Sequence, residues 1–266
     1  MAEQCRIVQI ETPRHVQSRY PEGMRLDSSE IQLPETPPLA RLLGDPALHM
    51  GAIDRALASV YRISPYHPDG DPLGGLIATV LSQNTSDRNS SRAYASLRLR
   101  YPTWAAVRAA PQEAIAEAIR SGGLSRIKSA RIKEILDTLQ ERYGALDLAA
   151  IRGMDVPTAR AELSQLRGVG PKTASCVLLF NLGQPAFPVD THVHRLSRRI
   201  GFAPQKASPE AVQHLVEASL PPQRAYYFHV ELISHGRTVC KAQRPRCDEC
   251  PIRRLCRFGM EAPADD

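Results

Sequence analysis

Four cysteines near the end of the sequence have the type and spacing of ligands in a metal-binding loop. Cys240, Cys247, Cys250 and Cys256 form a C-x6-C-x2-C-x5-C array within 17 residues. Cysteine sulfur is a soft ligand that selects Zn2+ or an iron–sulfur centre. The residues alone therefore leave two alternatives for the metal, a zinc ion or an iron–sulfur cluster.

A short glycine-containing turn, Arg167-Gly168-Val169-Gly170, indicates a second site. It separates two helical patterns and is too short for anything except two helices folded back on each other, a helix–hairpin–helix. Glycine permits positive φ and close approach to another chain, and Pro171 suits a first helical position. The exposed N–H groups of such a turn can bind a phosphate without reading sequence. The alternative is an ordinary turn between helices with a glycine cap.

Lys172 and Asp190 are the candidate reactive residues. Lys172 lies in the first turn of the helix after the glycines, where the positive end of the helix dipole disfavours an ammonium ion. A neutral amine is a nucleophile, although an exposed lysine at a helix start usually has no catalytic role. Asp190 follows 18 residues later, after a turn at 185–189 that could return the chain to Lys172. Its carboxylate could stabilise positive charge on a reacting sugar, and it could also cap the helix that begins at Thr191.

The elements that must position these residues are helices. From Asp45 onward, apolar residues recur at spacings of three and four, and Gly or Pro stands at the ends of the segments. The predicted helices cover 52–62, 73–82, 86–100, 111–120, 126–142, 158–166, 171–182, 191–200, 208–219 and 223–235. No alternating strand pattern competes with them, so the sequence predicts an all-α fold.

Composition and charge limit the classes of function. The 266 residues suffice for one large domain or two smaller ones, and an apolar content of 42% is typical of a globular protein. Residues 1–40 carry four basic and six acidic side chains, which leaves the other 226 residues at +8. This surplus favours a polyanionic partner, and a merely soluble basic protein is the alternative.

The sequence carries no pattern of a membrane protein or of a secreted one. No run approaches 18 consecutive apolar residues, and the first 21 residues lack the apolar segment of a signal peptide. We therefore expect no membrane partner and an intracellular location, in the cytoplasm or nucleoid if the source is bacterial. Cysteines gathered in one array also suit a reducing compartment.

Four motifs, taken in order, resemble the endonuclease III family of base-excision DNA glycosylases. They are the segment Leu81-Ser82-Gln83-Asn84-Thr85-Ser86-Asp87, the L-x-G-V-G-x-K-T hairpin, the V-D-T-H-V-x-R segment and the C-x6-C-x2-C-x5-C loop. The resemblance covers about residues 45–258. It implies two helical domains that flank a DNA-binding cleft.

The resemblance also implies the domain limits. Residues 72–184 are expected to form a six-helix barrel domain with the helix–hairpin–helix, and residues 45–71 plus 185–266 a helical domain with the cluster loop. Residues 1–44 are rich in proline and have little periodicity, so we expect a weakly ordered N-terminal extension.

Roles for the reactive residues follow from the same resemblance. Lys172 is expected to be the Schiff-base nucleophile, with Asp190 as its acidic partner. The four cysteines are expected to hold a [4Fe–4S] cluster. A four-cysteine zinc site usually has two C-x2-C pairs, whereas only Cys247 and Cys250 form one here.

Several further residues are expected to contact DNA. Asn84 stands where the family usually has a glutamine that fills the hole left by an extruded base, and Gln83 precedes it, so either could be the filling residue. Leu124 matches a family leucine that wedges into the base stack, with a core leucine as the alternative. The complete set of expected DNA contacts is Gln83, Asn84, Leu124, Gly168, Val169, Gly170, His192, Lys241, Arg244 and Arg246.

The predicted function is that of a bifunctional DNA glycosylase and apurinic/apyrimidinic (AP) lyase, acting as a monomer. Its expected partner is double-stranded DNA with damaged bases, above all oxidised pyrimidines, or abasic sites. One alternative is a non-catalytic DNA-binding protein with the same hairpin and cluster. Another is a monofunctional or mismatch-specific glycosylase, or one for methylated bases, since the segment 186–191 also resembles plant glycosylases that remove methylated cytosine.

Overall fold

A computed structural model of the protein describes residues 17–18, 37–67 and 70–261. Its α-helices are α1 (Leu39–Leu43), α2 (Pro46–Val60), α3 (Pro72–Ser82), α4 (Asp87–Arg100), α5 (Trp104–Ala109), α6 (Gln112–Ala118), α7 (Ser125–Tyr143), α8 (Ala149–Arg152), α9 (Val156–Ser164), α10 (Pro171–Phe180), α11 (Thr191–Ile200), α12 (Pro209–Ser219), α13 (Ala225–Thr238) and α14 (Arg257–Glu261). Short 3-10 helices lie at Arg120–Gly122, Pro222–Arg224 and Arg253–Leu255. Two short strands, β1 (Gln17–Ser18) and β2 (Tyr61–Arg62), pair antiparallel with Gln17 opposite Arg62. The predicted all-α class is confirmed.

Side-chain caps explain where many of the helices begin. An oxygen of the residue before the helix accepts a backbone N–H from the first turn, which otherwise has no partner in the helix. The residues that do this are Asp45, Asp71, Ser86, Thr103, Asp155, Asp190 and Ser208. Proline in the first turn reinforces several of these starts, because its fixed φ suits the helix.

Helix α2 differs from its predicted limits of 52–62. The helix starts at Pro46 because Asp45 accepts from the N–H groups of Ala47 and Leu48, at 3.1 and 3.0 Å. It ends at Val60, and the next two residues form β2. The apolar periodicity marked the buried face of this helix, whereas the capping residues set its beginning.

The described residues pack as two units, one spanning His67–Ala186 and the other combining the chain up to Tyr66 with the chain from Phe187 onward. The predicted boundaries after residues 71 and 184 remain predictions. In the first unit, α3 and α7 contribute fully buried side chains to one core, among them Leu76, Ile77, Ile132 and Leu136. This core holds the end of α3 and the hairpin between α9 and α10 in place.

The second unit has its own aromatic core. The ring centroid of Phe228 lies 6.0 Å from that of Phe187 and 6.2 Å from that of Phe202. Arg224 joins α2 to α13, because its guanidinium donates to Asp54 and to Glu231 at 2.8 and 3.0 Å. Burial raises the pKa of Glu231 to about 7, although the contacts with Arg224 oppose that shift.

The predicted N-terminal extension at 1–44 falls mostly outside the described residues. Within it, Leu39–Leu43 form α1, and the side chain of Leu42 is fully buried. Among the described helices, none has the length and apolar character that crossing a membrane requires.

Candidate functional site

The hairpin between α9 and α10 has the positive φ predicted for its glycines at Gly168 but not at Gly170. Gly168 has a φ of +82°, and a Cβ atom there would lie 2.7 Å from Cδ of Arg131. Gly170 instead has a φ of −85°, with open space where a Cβ would be. Positive φ therefore makes glycine necessary at 168 but not at 170.

The same turn orients the start of α10. Gly170 occupies the N-cap position without a side-chain cap, so the first N–H groups of the helix keep no intrahelical partner. Val169, predicted among the DNA contacts, is only 3% exposed, and its N–H donates to the Leu166 carbonyl at 3.0 Å. Val169 thus anchors the turn in the core, while Gly170 leaves the helix start open to an anion.

A groove of about 770 Å3 opens beside the hairpin, within the first unit. Six predicted site residues line it: Gln83, Asn84, Gly168, Val169, Gly170 and Lys172. Lys172 is exposed, at the second residue of α10. Its amine therefore belongs to a groove of the size that small-ligand sites have. Cys176, on α10, is buried and forms part of the groove wall.

Gln83 ties the end of α3 to the hairpin. Its Oε1 accepts from Arg131 at 3.0 Å, and its Nε2 donates to the Gly168 carbonyl at 3.0 Å. Both ends of the amide are therefore engaged within the protein. The sequence motifs did not single out Arg131, and no local pattern could have done so, since its partner Gln83 is 48 residues away along the chain.

Asn84 and Leu124 share an uncommon backbone conformation. Their φ values are +54° and +49°, in the left-handed region that residues with a Cβ seldom occupy. Asn84 is exposed, and Leu124 is 52% exposed. The exposure of Leu124 excludes the alternative of a core leucine. Both side chains are placed at the surface by strained turns, which is common where a protein contacts a ligand.

Asp190 lies in the second unit and caps α11. Its Oδ1 accepts the Val193 N–H at 2.8 Å, which confirms the capping role and fixes the carboxylate. His192 is half-buried, and the Arg195 guanidinium donates to its Nδ1 at 3.2 Å. Burial lowers the pKa of His192, with the Asp190 carboxylate opposing the shift. The pairing of Asp190 with Lys172 remains a prediction.

Protein hydrogen-bond donors approach the sulfur atoms of the cysteine array. Cys250 and Cys256 are buried, and Cys240 and Cys247 are half-buried. The Gly259 N–H donates to Sγ of Cys256 at 3.3 Å. Nε2 of the buried His235 lies 3.5 Å from Sγ of Cys250.

The chemistry of this donor set fits a metal cluster. Burial raises the pKa of Cys250, and it raises that of Cys256 to about 11, with neighbouring cysteines adding to both shifts. Burial therefore disfavours the thiolate form of Cys250 and Cys256, and bonds to positive metal ions would offset that cost. Within the described residues, no group of three or more His, Cys, Asp or Glu side chains is placed to hold one metal ion. A [4Fe–4S] cluster takes four separate thiolates, so its ligands need not meet at one point.

The backbone of the cysteine loop is held by arginine. Arg199 donates to the carbonyls of Lys241 and Ala242 at 2.7 and 2.8 Å, and its guanidinium lies 3.6 Å from Sγ of Cys240. The predicted DNA contacts Lys241, Arg244 and Arg246 are all exposed on this loop. Arg246 is partly engaged, because it pairs with Glu249 at 3.1 Å and donates to Thr238.

Comparison with known proteins gives consistent matches along the chain. Residues 77–222 match the HhH-GPD superfamily of base excision DNA repair proteins, and residues 240–256 match the iron-sulfur binding domain of endonuclease III. The chain is 37% identical over 199 residues to endonuclease III of Thermotoga maritima, an alignment that covers 75% of this chain and 89% of that protein.

Two further matches extend the comparison. A protein of Arabidopsis thaliana whose name proposes a DNA glycosylase is 40% identical over 190 residues, which is 68% of this chain and 64% of that protein. The chain thus spans less than two thirds of that relative. A solved structure of a trapped endonuclease III–DNA covalent intermediate is 33% identical with a TM-score of 0.65, covering 80% of this chain and 97% of the other.

Proposed function

The chain belongs to the endonuclease III family of base-excision DNA glycosylases with AP lyase activity, and on this basis we propose that it excises damaged pyrimidines from duplex DNA with Lys172 as nucleophile. Membership of the family favours an enzyme over a non-catalytic DNA-binding protein. One observation carries the proposal. Lys172 stands exposed at the open start of α10, in the groove that Gln83, Asn84 and the hairpin glycines also line.

The reaction begins with extrusion of the target nucleotide. An enzyme cannot reach the glycosidic carbon inside a duplex, and unstacking costs about a few kcal/mol, least for a damaged base. Asn84 and Leu124 suit this step, because both side chains are exposed on turns that fix their backbones. We assign the filling role to Asn84, since the Gln83 amide is engaged within the protein.

Lys172 then acts on the extruded sugar. The lone pair on its Nζ attacks C1′, the bond from C1′ to the base breaks, and the base leaves with the bonding electron pair and takes up a proton. The attached nitrogen then loses a proton, and the bond from C1′ to O4′ breaks with uptake of a proton at O4′, which gives an iminium ion between Nζ and C1′. The iminium acidifies the C2′ proton, so its removal expels the 3′ phosphate by β-elimination. Asp190, fixed by its capping bond, stabilises positive charge on the sugar ring and assists the proton transfers.

The cysteine loop and the hairpin bind the DNA backbone in this proposal. Cys240, Cys247, Cys250 and Cys256 hold a [4Fe–4S] cluster, which supplies structural cross-linking of the loop. Lys241 and Arg244 are exposed on that loop and provide the positive charge that phosphates attract. The uncapped N–H groups at the start of α10 provide a second, uncharged phosphate site.

We propose that the substrates are oxidised pyrimidines, because polar residues line the groove. Thr79 and Ser82 are among the lining residues, and their hydroxyls, which donate to the carbonyls of Gly75 and Thr79 at 2.8 Å, can still accept hydrogen bonds. Oxidation adds hydroxyl or carbonyl groups that can hydrogen-bond to such a lining, whereas methylation adds only apolar surface. The proposal therefore ranks oxidised pyrimidines above methylated or mismatched bases, and it takes the monomer as the active form.

Cleavage of a panel of duplexes, each with one lesion, tests this function. We expect the protein to nick duplexes with an oxidised pyrimidine or an abasic site, and to leave methylcytosine and mismatched duplexes intact. Lys172→Gln should abolish nicking, and Lys206→Gln, at an exposed lysine that is not among the groove-lining residues, should not. Base release without nicking would indicate a monofunctional glycosylase, and cleavage of only the methylated duplex would overturn the substrate assignment.

A further inference from the structure

A buried lysine in the first unit joins the two segments that carry Asn84 and Leu124. Lys128, on the second turn of α7, is only 1% exposed and is one of the largest fully buried side chains among the described residues. Its Nζ donates to the Leu81 carbonyl at 2.7 Å and to the Gly122 carbonyl at 2.9 Å. A buried ammonium is costly unless it is hydrogen-bonded, so this arrangement needs both carbonyls.

The two carbonyls stand immediately before the strained turns. Leu81 belongs to the last turn of α3, three residues before Asn84. Gly122 ends a 3-10 helix, two residues before Leu124. Asn84 and Leu124 are two of the three described non-glycine residues with positive φ. Each of these two residues shortly follows a carbonyl group that accepts a hydrogen bond from Lys128.

A second lysine on α7 shows what an ordinary structural role looks like. Lys133 also donates to two backbone carbonyls, those of Arg108 and Ala110, at 2.7 and 2.8 Å. Those carbonyls close the end of α5, and no predicted DNA contact follows them. Lys133 therefore offers a matched control with the same chemistry on the same helix.

We propose that Lys128 is a positioning residue that fixes the Asn84 turn and the Leu124 turn relative to each other, so that both side chains enter the duplex together. This inference rests on the proposed function, in which those two residues replace the extruded nucleotide. Lys128 touches neither DNA nor the reacting atoms. Its effect is confined to the extrusion step, which a single-stranded substrate does not require.

The test compares Lys128→Met with Lys133→Met on one abasic site placed in a duplex and in a single strand. We expect Lys128→Met to lower duplex cleavage by about tenfold or more, since small misplacements of binding groups are costly, while single-strand cleavage stays close to the wild-type rate. Fluorescence of 2-aminopurine opposite the site should report reduced extrusion in the same variant. Lys133→Met should affect the two substrates equally.

Equal losses on both substrates in Lys128→Met, or no loss on either, would overturn the inference. A failure of the proposed function would look different, because the wild-type protein itself would then cleave neither substrate. If Lys128→Met does not fold, a double-mutant cycle in proteins that retain Lys128 decides the matter. Asn84→Ala and Leu124→Ala should lose duplex cleavage non-additively, and additive losses would show that the two turns act independently.

Discussion

Gly168 and Gly170 make a matched pair for testing how the hairpin is held. At Gly168 an alanine would have to adopt a φ of +82°, and its Cβ would meet the Arg131 side chain at 2.7 and 2.9 Å. The left-handed conformation alone costs a residue with a Cβ roughly 1–2 kcal/mol. Displacing Arg131 would also weaken its bond to Gln83. At Gly170 the φ is −85° and the Cβ position is open, so alanine is tolerated there.

Hydrogen exchange of the hairpin amides measures this difference directly. The Val169 N–H donates to the Leu166 carbonyl at 3.0 Å, and the Ala174 N–H donates to the Gly170 carbonyl at 2.9 Å. A loss of 1–2 kcal/mol corresponds to about 5- to 30-fold faster exchange by local opening. We expect this acceleration in Gly168→Ala and less than about twofold in Gly170→Ala. Equal exchange rates in the two variants would refute the reasoning from backbone conformation and steric overlap.

Three further predictions concern other parts of the molecule. Burial raises the pKa of the Glu231 carboxyl in the folded protein to about 7, above its value in the unfolded chain. Protonated Glu231 therefore stabilises the fold at low pH, and this stabilisation is lost as the pH rises through about 7. Between about pH 5 and about pH 8, the free energy of unfolding in urea should fall by about 2–3 kcal/mol more for the wild type than for Glu231→Gln. A parallel response of the two proteins to pH would contradict this. Cys250→Ser should abolish the visible absorbance of the iron–sulfur cluster, whereas Cys176→Ser, outside the array, should retain it; retention in both would exclude Cys250 as a ligand. Gln83→Ala should accelerate amide hydrogen exchange at the hairpin and should lower cleavage of single-stranded and duplex abasic DNA alike. Asn84→Ala should lower cleavage of the duplex only. The reverse pattern would assign the filling role to Gln83.

The helical architecture was largely predictable because its signals are local. Apolar periodicity located the long helices, and α11 was predicted with its observed limits because Asp190 supplies the cap and Gly201 the left-handed end. Helix α5 was missed, since six residues give too few turns to establish a period. The start of α2 was also missed, although Asp45 and Pro46 are a capping pair that could have marked it.

The candidate site was predictable where a single short motif carries the information. The hairpin motif located Lys172 and the glycines, and the structure gathers these with Gln83 and Asn84 around one groove. The supporting residues escaped notice because their partners are distant in sequence. Lys128 holds a carbonyl 47 residues away, and nothing in its neighbouring sequence indicates that its amine is buried. Backbone conformation was equally hidden, since Gly168 and Gly170 look alike in the sequence and only the first has a positive φ.

The most direct test of the central claim is to identify the residue that bonds to C1′. The wild-type protein is incubated with duplex DNA containing one abasic site, the imine is reduced with borohydride, and the adduct is digested and sequenced by mass spectrometry. The account predicts that the sugar is attached to Nζ of Lys172, on the peptide that begins the helix after the hairpin. Attachment to any other amine, or an undiminished adduct with Lys172→Gln, would contradict it.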